Sequence, residues 1–168
     1  MTADNSIADL VVRAHHTAFS CNDYAAARIF FVDILGFKVV GEMESRSGDG
    51  LDVVVGMPGA SCHWAMLELG GYHIELFKWL TPDDGRSVAI RQNDFGYTHI
   101  CLQVRDIDEV HRRLTAAGYA PLSRPGNMRG GRAKPFYAKG PEGCVVEFSW
   151  PPSGHFHADR IEIDEKLH

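Results

Sequence analysis

The chain has no CxxC pair, no block of basic residues and no apolar run near the roughly 18 residues that a membrane span requires. Each absence removes a class of function. The four cysteines, Cys21, Cys62, Cys101 and Cys144, lie far apart in 168 residues, which fits a reduced protein rather than a disulfide framework. A net charge of −5 without a basic cluster argues against nucleic acid and acidic membrane surfaces as partners. Met1 to Asp9 lacks the basic-then-apolar character of a secretory signal, so the expected location is cytoplasmic. Disorder and fibrous repeats are excluded too, because 45% apolar and 23% charged residues are ordinary values for a globular chain. What is present in excess is histidine, with nine residues.

Two segments repeat. His16-Thr-Ala-Phe-Ser-Cys-Asn-Asp23 and His99-Ile-Cys-Leu-Gln-Val-Arg-Asp106 each place a His seven residues before an Asp. Each Asp opens a helical pattern. Tyr24, Ala27, Phe31 and Ile34 form one apolar stripe at 3.6-residue spacing; Ile107, Val110, Leu114 and Ala117 form the other. Asp106 is placed to cap its helix, with Glu109 three residues on as in a capping box. Gly36 and Gly118 supply the left-handed residue that ends each helix. Strand-like runs follow at Phe37–Val40, His63–Leu69 and Lys134–Ala138, and each copy finishes on a strand with a glutamate among apolar neighbours, Tyr72–Phe77 and Cys144–Phe148. The expected fold is therefore α+β: two tandem βαβββ modules with helices on one side of each sheet. The first module spans 10–80, a linker 81–95, the second module 96–151, and a polar tail 152–168.

Strand parity separates two faces. Ile74 and Leu76, and Val146, Phe148 and Trp150, form greasy faces suited to helices. His99, Cys101 and Gln103, with Tyr97, lie on the other face, and Glu75 and Glu147 likewise point away from the greasy side. Two histidines and two glutamates at equivalent positions of two repeats suit one divalent metal. Imidazole with carboxylate matches Zn, Ni, Co, Mn or Fe(II) without choosing among them, and the two carboxylates offset the ion's charge.

Four motifs occur in order: His16-x6-Asp23 followed by Ala26-Ala-Arg-Ile-Phe-Phe-Val-Asp-Ile-Leu-Gly-Phe37; Ile74-Glu-Leu-Phe77; Gly96-Tyr-Thr-His-Ile100; and Gly140-Pro-Glu-Gly-Cys-Val-Val-Glu-Phe148. From Val11 to Trp150 the sequence thereby resembles the vicinal-oxygen-chelate superfamily of glyoxalases, bleomycin-resistance proteins and dioxygenases, and in pattern is most similar to glyoxalase I and methylmalonyl-CoA epimerase. The resemblance implies a cupped, incomplete barrel of paired modules around a metal, with His16, Glu75, His99 and Glu147 as ligands. His15 rivals His16 but lacks the seven-residue interval to the Asp. Glu68 rivals Glu75 but lacks the Ile-Glu-Leu-Phe setting and an aromatic downstream, Trp79 answering Trp150.

The resemblance also sorts activities. Glu75 as a fourth ligand follows the glyoxalase and epimerase pattern rather than the two-His, one-carboxylate set of extradiol dioxygenases. Met128, Arg129 and Gly130 occupy the region where a dioxygenase carries a further His, and the turn Gly140-Pro141-Glu142-Gly143 lacks the usual Asp. Ser20 stands where glyoxalase I often has an Arg for glutathione, which leaves an acyl-CoA, a keto acid or a cyclic polyol open.

The expected activity is that of a metal-dependent isomerase or lyase moving a proton beside a carbonyl, with Glu147 and Glu75 as the catalytic carboxylates and a small carbonyl compound as substrate. The alternatives are an Fe(II) or Mn(II) extradiol-type dioxygenase and a non-catalytic drug-binding protein. A homodimer is expected by resemblance. His63 and His73 read as surface or packing residues and Cys101 as a small thiol. Tyr97, Gln103 and Tyr137 are possible pocket residues, while Arg129 and Arg132 are placed either to clamp an anion or to lie in a solvated loop.

Overall fold

The computed structural model describes residues 6–88 and 91–150; the tail 152–168 lies outside the described residues. The chain divides into two compact units between Ser87 and Val88. In the first, β1 (His16–Ser20), α1 (Tyr24–Arg28, continuing as a π-helix over Ile29–Ile34), β2 (Lys38–Ser47), α2 (Leu51–Val55), β3 (Ser61–Leu69) and β4 (Tyr72–Thr81) follow one another. The second runs β5 (Ile100–Gln103), α3 (Ile107–Ala116), β6 (Ala120–Pro121), β7 (Lys134–Lys139) and β8 (Val145–Trp150). Sheet orders are β1-β4-β3-β2 and β5-β8-β7-β6, the first pair parallel in each and the rest antiparallel. The expected α+β fold of two βαβββ modules is thus the observed one.

Local signals account for the elements. Asp23 and Asp106 cap their helices by accepting from the backbone N–H of Ala26 and Glu109, both at 3.0 Å. Gly36 and Gly118 end the helical segments at φ +85° and +86°. The capping-box return is not the contact made by Glu109, whose carboxylate takes Arg112 and Arg113 instead.

The first helix departs from its expected stripe. Its second half is wound as a π-helix, with Leu35 N–H donating to the Phe30 carbonyl five residues back. That wider turn rotates Ile34 outward to 39% exposure and buries Phe30 beside Phe31. Phe31 meets Phe30 and Phe37 edge-on. With Tyr24, Ala27, Leu67, Ile74 and Leu76 these rings form the core of the first unit, each fully buried large side chain contributing roughly 1.5–3 kcal/mol. Ile100, Ile107, Leu114, Phe136, Val146 and Phe148 do the same in the second.

The sequence reading missed α2. It caps a second small cluster of Leu51, Ala60 and Cys62, against which Met57, Trp64, Phe77 and Trp79 pack. Among the described residues no helix is long and apolar enough to cross a membrane.

Candidate metal centre

In each unit the chain's first strand lies parallel to its last, and that register decides which polar groups meet. His16 stands opposite His73, Ala18 opposite Glu75 and Ser20 opposite Phe77; Cys101 stands opposite Glu147. Each histidine therefore sits one same-face step before its glutamate on the neighbouring strand. His16 Nε2 lies 2.9 Å from Glu75 Oε2, with side chains 35% and 16% exposed. His99 Nε2 lies 3.1 Å from Glu147 Oε2, at 31% and 19%. Half-open pairs like these are sheltered from full hydration yet open to a ligand.

The hairpin between β3 and β4 adds to the first pair. Its register places Met66 opposite Glu75 and Trp64 opposite Phe77, and the Trp64 indole N–H donates to Glu75 Oε1 at 2.9 Å. Gly41 makes room for that indole, because a Cβ there would meet Trp64 Cη2 at 3.3 Å. Arg46 lies over the same ring, 5.3 Å from its centroid. Phe77 and Trp79 stack at 5.1 Å, and Trp79 donates to Ser20 Oγ at 3.1 Å. The face of the first sheet that carries Glu75 is thus lined by aromatic rings.

Around Glu147 the neighbours are different. Tyr137 is its cross-strand partner and meets His99 edge-on at 5.1 Å. Burial, then the Glu147 charge and a hydrogen bond to it, hold the Tyr137 hydroxyl above its usual pKa. The same three causes push the Cys101 thiol up. Cys101 is nevertheless exposed as a residue, and the consequence that matters is that its thiol stays protonated beside the carboxylate.

The rivals have other contacts. Glu68 accepts from the Gly71 N–H at the hairpin turn. The His15 ring meets His16 edge-on and stacks on His73. His63 belongs to the opposite face, where it stacks on Tyr24 at 3.6 Å and lies 3.3 Å from Glu42; Tyr24 donates to the same carboxylate at 2.7 Å. Tyr97 and Gln103 are exposed. The Arg129 side chain lies outside the described residues.

The pairing of Trp79 with Trp150 needs correcting. Trp79 is four residues past Glu75 and shares its face; Trp150 is three past Glu147, stands opposite Lys134 and faces the start of α3 with Arg105, Asp106 and Ile107.

The donor set fits a divalent cation. Imidazole nitrogen and carboxylate oxygen are standard ligands for Zn, Ni, Co, Mn and Fe, and in each unit they already lie at hydrogen-bond distance, aimed at one another. Among the described residues no three His, Cys, Asp or Glu side chains come together as a metal-binding group; within each unit the candidates meet as one histidine and one glutamate. The four candidates read from the sequence pair as His16 with Glu75 and His99 with Glu147; sequence reasoning missed Trp64, for which the Gly70-Gly71 turn was the available signal, since it fixes the β3–β4 register.

Comparison with known proteins agrees with this architecture. The sequence profile described as Glyoxalase/Bleomycin resistance protein/Dioxygenase superfamily matches residues 13–148. A 2-epi-5-epi-valiolone epimerase of Actinomyces sp is 29% identical over 159 residues, 90% of this chain and 86% of that one. A glyoxalase family protein from Bacillus cereus shares the fold at a TM-score of 0.76 and 24% identity, over 89% of this chain and 97% of that one. A lactoylglutathione lyase from Agrobacterium tumefaciens does so at 0.53 and 21%, over 83% and 93%.

Proposed function

The chain belongs to the glyoxalase/bleomycin resistance protein/dioxygenase superfamily, and from that premise we propose that it is a metal-dependent epimerase acting beside a carbonyl. The observation that carries this reading is the repeated His–Glu pair, at the same register on the parallel strands of both units. In the proposal His16, Glu75, His99 and Glu147 hold one divalent ion. When bound, that ion supplies a Lewis-acid charge for the carbonyl oxygen.

The side chains have separate tasks. Glu147 takes the proton from the carbon next to the carbonyl onto a carboxylate oxygen, assistance typically worth about 10²–10⁴-fold in rate. Tyr137 and Cys101, bonded to that carboxylate, fix its orientation. Inversion of the carbon needs a second acid that gives its own proton to the opposite face while Glu147 keeps the one it took, and Glu75, held by Trp64, is the carboxylate assigned to that role. Return to a neighbouring carbon instead would make the reaction an isomerisation of the glyoxalase kind.

For the substrate we propose a polyhydroxylated cyclic ketone. The epimerase relative bears the name of such a compound. The rings of Trp64, Phe77 and Trp79, on the same face as Glu75, suit the C–H face of a saturated ring, and Ser20 leaves out the arginine of a glutathione site. The working unit in this reading is a homodimer, measurable by light scattering.

The test is deuterium wash-in. The protein, loaded in turn with Zn, Ni, Co, Mn or Fe(II), is incubated in D2O with 2-epi-5-epi-valiolone, with acyl thioesters and keto acids in parallel. Exchange next to the carbonyl of the cyclic ketone supports the proposal. Oxygen uptake with a catechol under Fe(II), and no exchange with any carbonyl compound, would replace it with ring cleavage.

A further inference from the structure

An imidazole has two nitrogens, and only the one without a proton can bind a metal. In both units the nitrogen that meets the glutamate is Nε2, at 2.9 Å for His16 and 3.1 Å for His99. Ligation through Nε2 by a neutral ring requires the proton on Nδ1, so whatever touches Nδ1 sets the binding form. His99 Nδ1 lies 3.1 Å from Gln92 Oε1. An amide carbonyl oxygen only accepts, so this contact places the proton on His99 Nδ1.

His16 Nδ1 lies 2.8 Å from His15 Nδ1. His15 accepts there when its own proton is on Nε2, and its ring is steadied on two sides, edge-on to His16 and stacked at 5.8 Å on His73. His15 precedes the start of β1, which frees it from strand alternation and lets two consecutive side chains meet. The second unit echoes the position: Thr98, just before His99, puts its Oγ1 3.0 Å from the same Nδ1.

We infer that His15 and Gln92 are positioning residues, each accepting the Nδ1 proton of a ligand histidine and so presenting its Nε2 to the metal. This rests on the ligand reading of His16 and His99 given above. Outer partners of this kind typically govern about 10–100-fold in metal affinity.

The experiment titrates the full chain with Zn(II) against a competing chromophoric chelator, and records long-range 1H–15N spectra of the Zn-loaded histidines. His15→Ala and Gln92→Ala are expected to weaken Zn binding about 10–100-fold. His15→Asn and Gln92→Glu, which keep an acceptor, are expected to restore most of the affinity. In wild type, His16 and His99 should show a protonated Nδ1 and a metal-bound Nε2. Unchanged affinity in both alanine variants, or Nδ1 as the metal-bound nitrogen, would overturn the assignment. If His16→Ala and His99→Ala also bound Zn like wild type, the ligand reading itself would fall; if they lose Zn while the His15 and Gln92 variants do not, only this inference falls.

Discussion

The two units carry the same His–Glu pair at the start of their parallel strands, His16 opening β1 and His99 just before β5, yet the groups around the two glutamates have little in common. Glu75 has Ala18 and Met66 as its strand neighbours and receives the Trp64 N–H. An indole N–H donates and cannot take a proton back, so this carboxylate is held in place. Glu147 has Cys101 and Tyr137 in the corresponding positions, groups that donate hydrogen bonds to it and keep their own protons. The two units share the donor geometry and differ in the neighbours of the acid. The difference teaches where the two proton transfers of the account should differ, removal at Glu147 between two side-chain donors and delivery at Glu75 beside a single indole.

The sharpest way to break the comparison is to neutralise each acid in turn. Glu147→Gln should lower substrate deuterium exchange by about 10²–10⁴-fold, with a smaller loss for Glu75→Gln under saturating metal. The reverse order would exchange the two roles. Next in size are core truncations, which ask whether the units are equally robust. Phe31→Ala in the first and Phe136→Ala in the second, both buried at about the same level, should each cost about 3–5 kcal/mol in equilibrium unfolding.

Trp64→Phe sharpens the comparison further, since it removes the N–H from Glu75 and keeps the ring. A hydrogen bond to a charged acceptor is worth about 1.5–3 kcal/mol, so a metal titration should show weaker binding, whereas Tyr137→Phe should change exchange more than affinity. Smallest is the effect of Glu42, on the helix side of the first unit. The Tyr24 hydroxyl bond, with lesser help from His63 and Arg28, lowers its pKa from 4.5. A lowered carboxylate stabilises the fold above its unfolded pKa and loses that contribution as pH falls through the folded value. Unfolding free energies of wild type and Glu42→Gln should therefore differ at neutral pH, by under about 1 kcal/mol for so exposed a group, and converge in acid below the ordinary carboxylate range.

The repeat, the helix caps and the facing of the four ligand candidates were legible because they depend on local chemistry: an Asp before a helix, a Gly after it, alternation along a strand. What stayed hidden depends on other parts of the chain. The π-turn that leaves Ile34 exposed and Phe30 buried has no signature in a 3.6-residue stripe. Leu51–Val55 carries no helical stripe that could be read, yet Gly50 and Gly56 stand at its two ends in left-handed conformations and Leu51 is buried against Ala60 and Cys62. Trp150 was matched to Trp79 merely as an aromatic downstream of the glutamate, although one residue of difference in spacing reverses the face. His15 was weighed only as a rival ligand; its contact with His16 Nδ1 depends on a side-chain rotamer that spacing does not encode.

The central claim is that both pairs serve a single ion. Elemental analysis of the purified chain, wild type beside His16→Ala, Glu75→Ala, His99→Ala and Glu147→Ala, addresses it most directly. The account predicts one divalent metal per wild-type chain and a marked loss in each variant, whichever unit carries the change. Full retention of the metal after removal of either pair would contradict it.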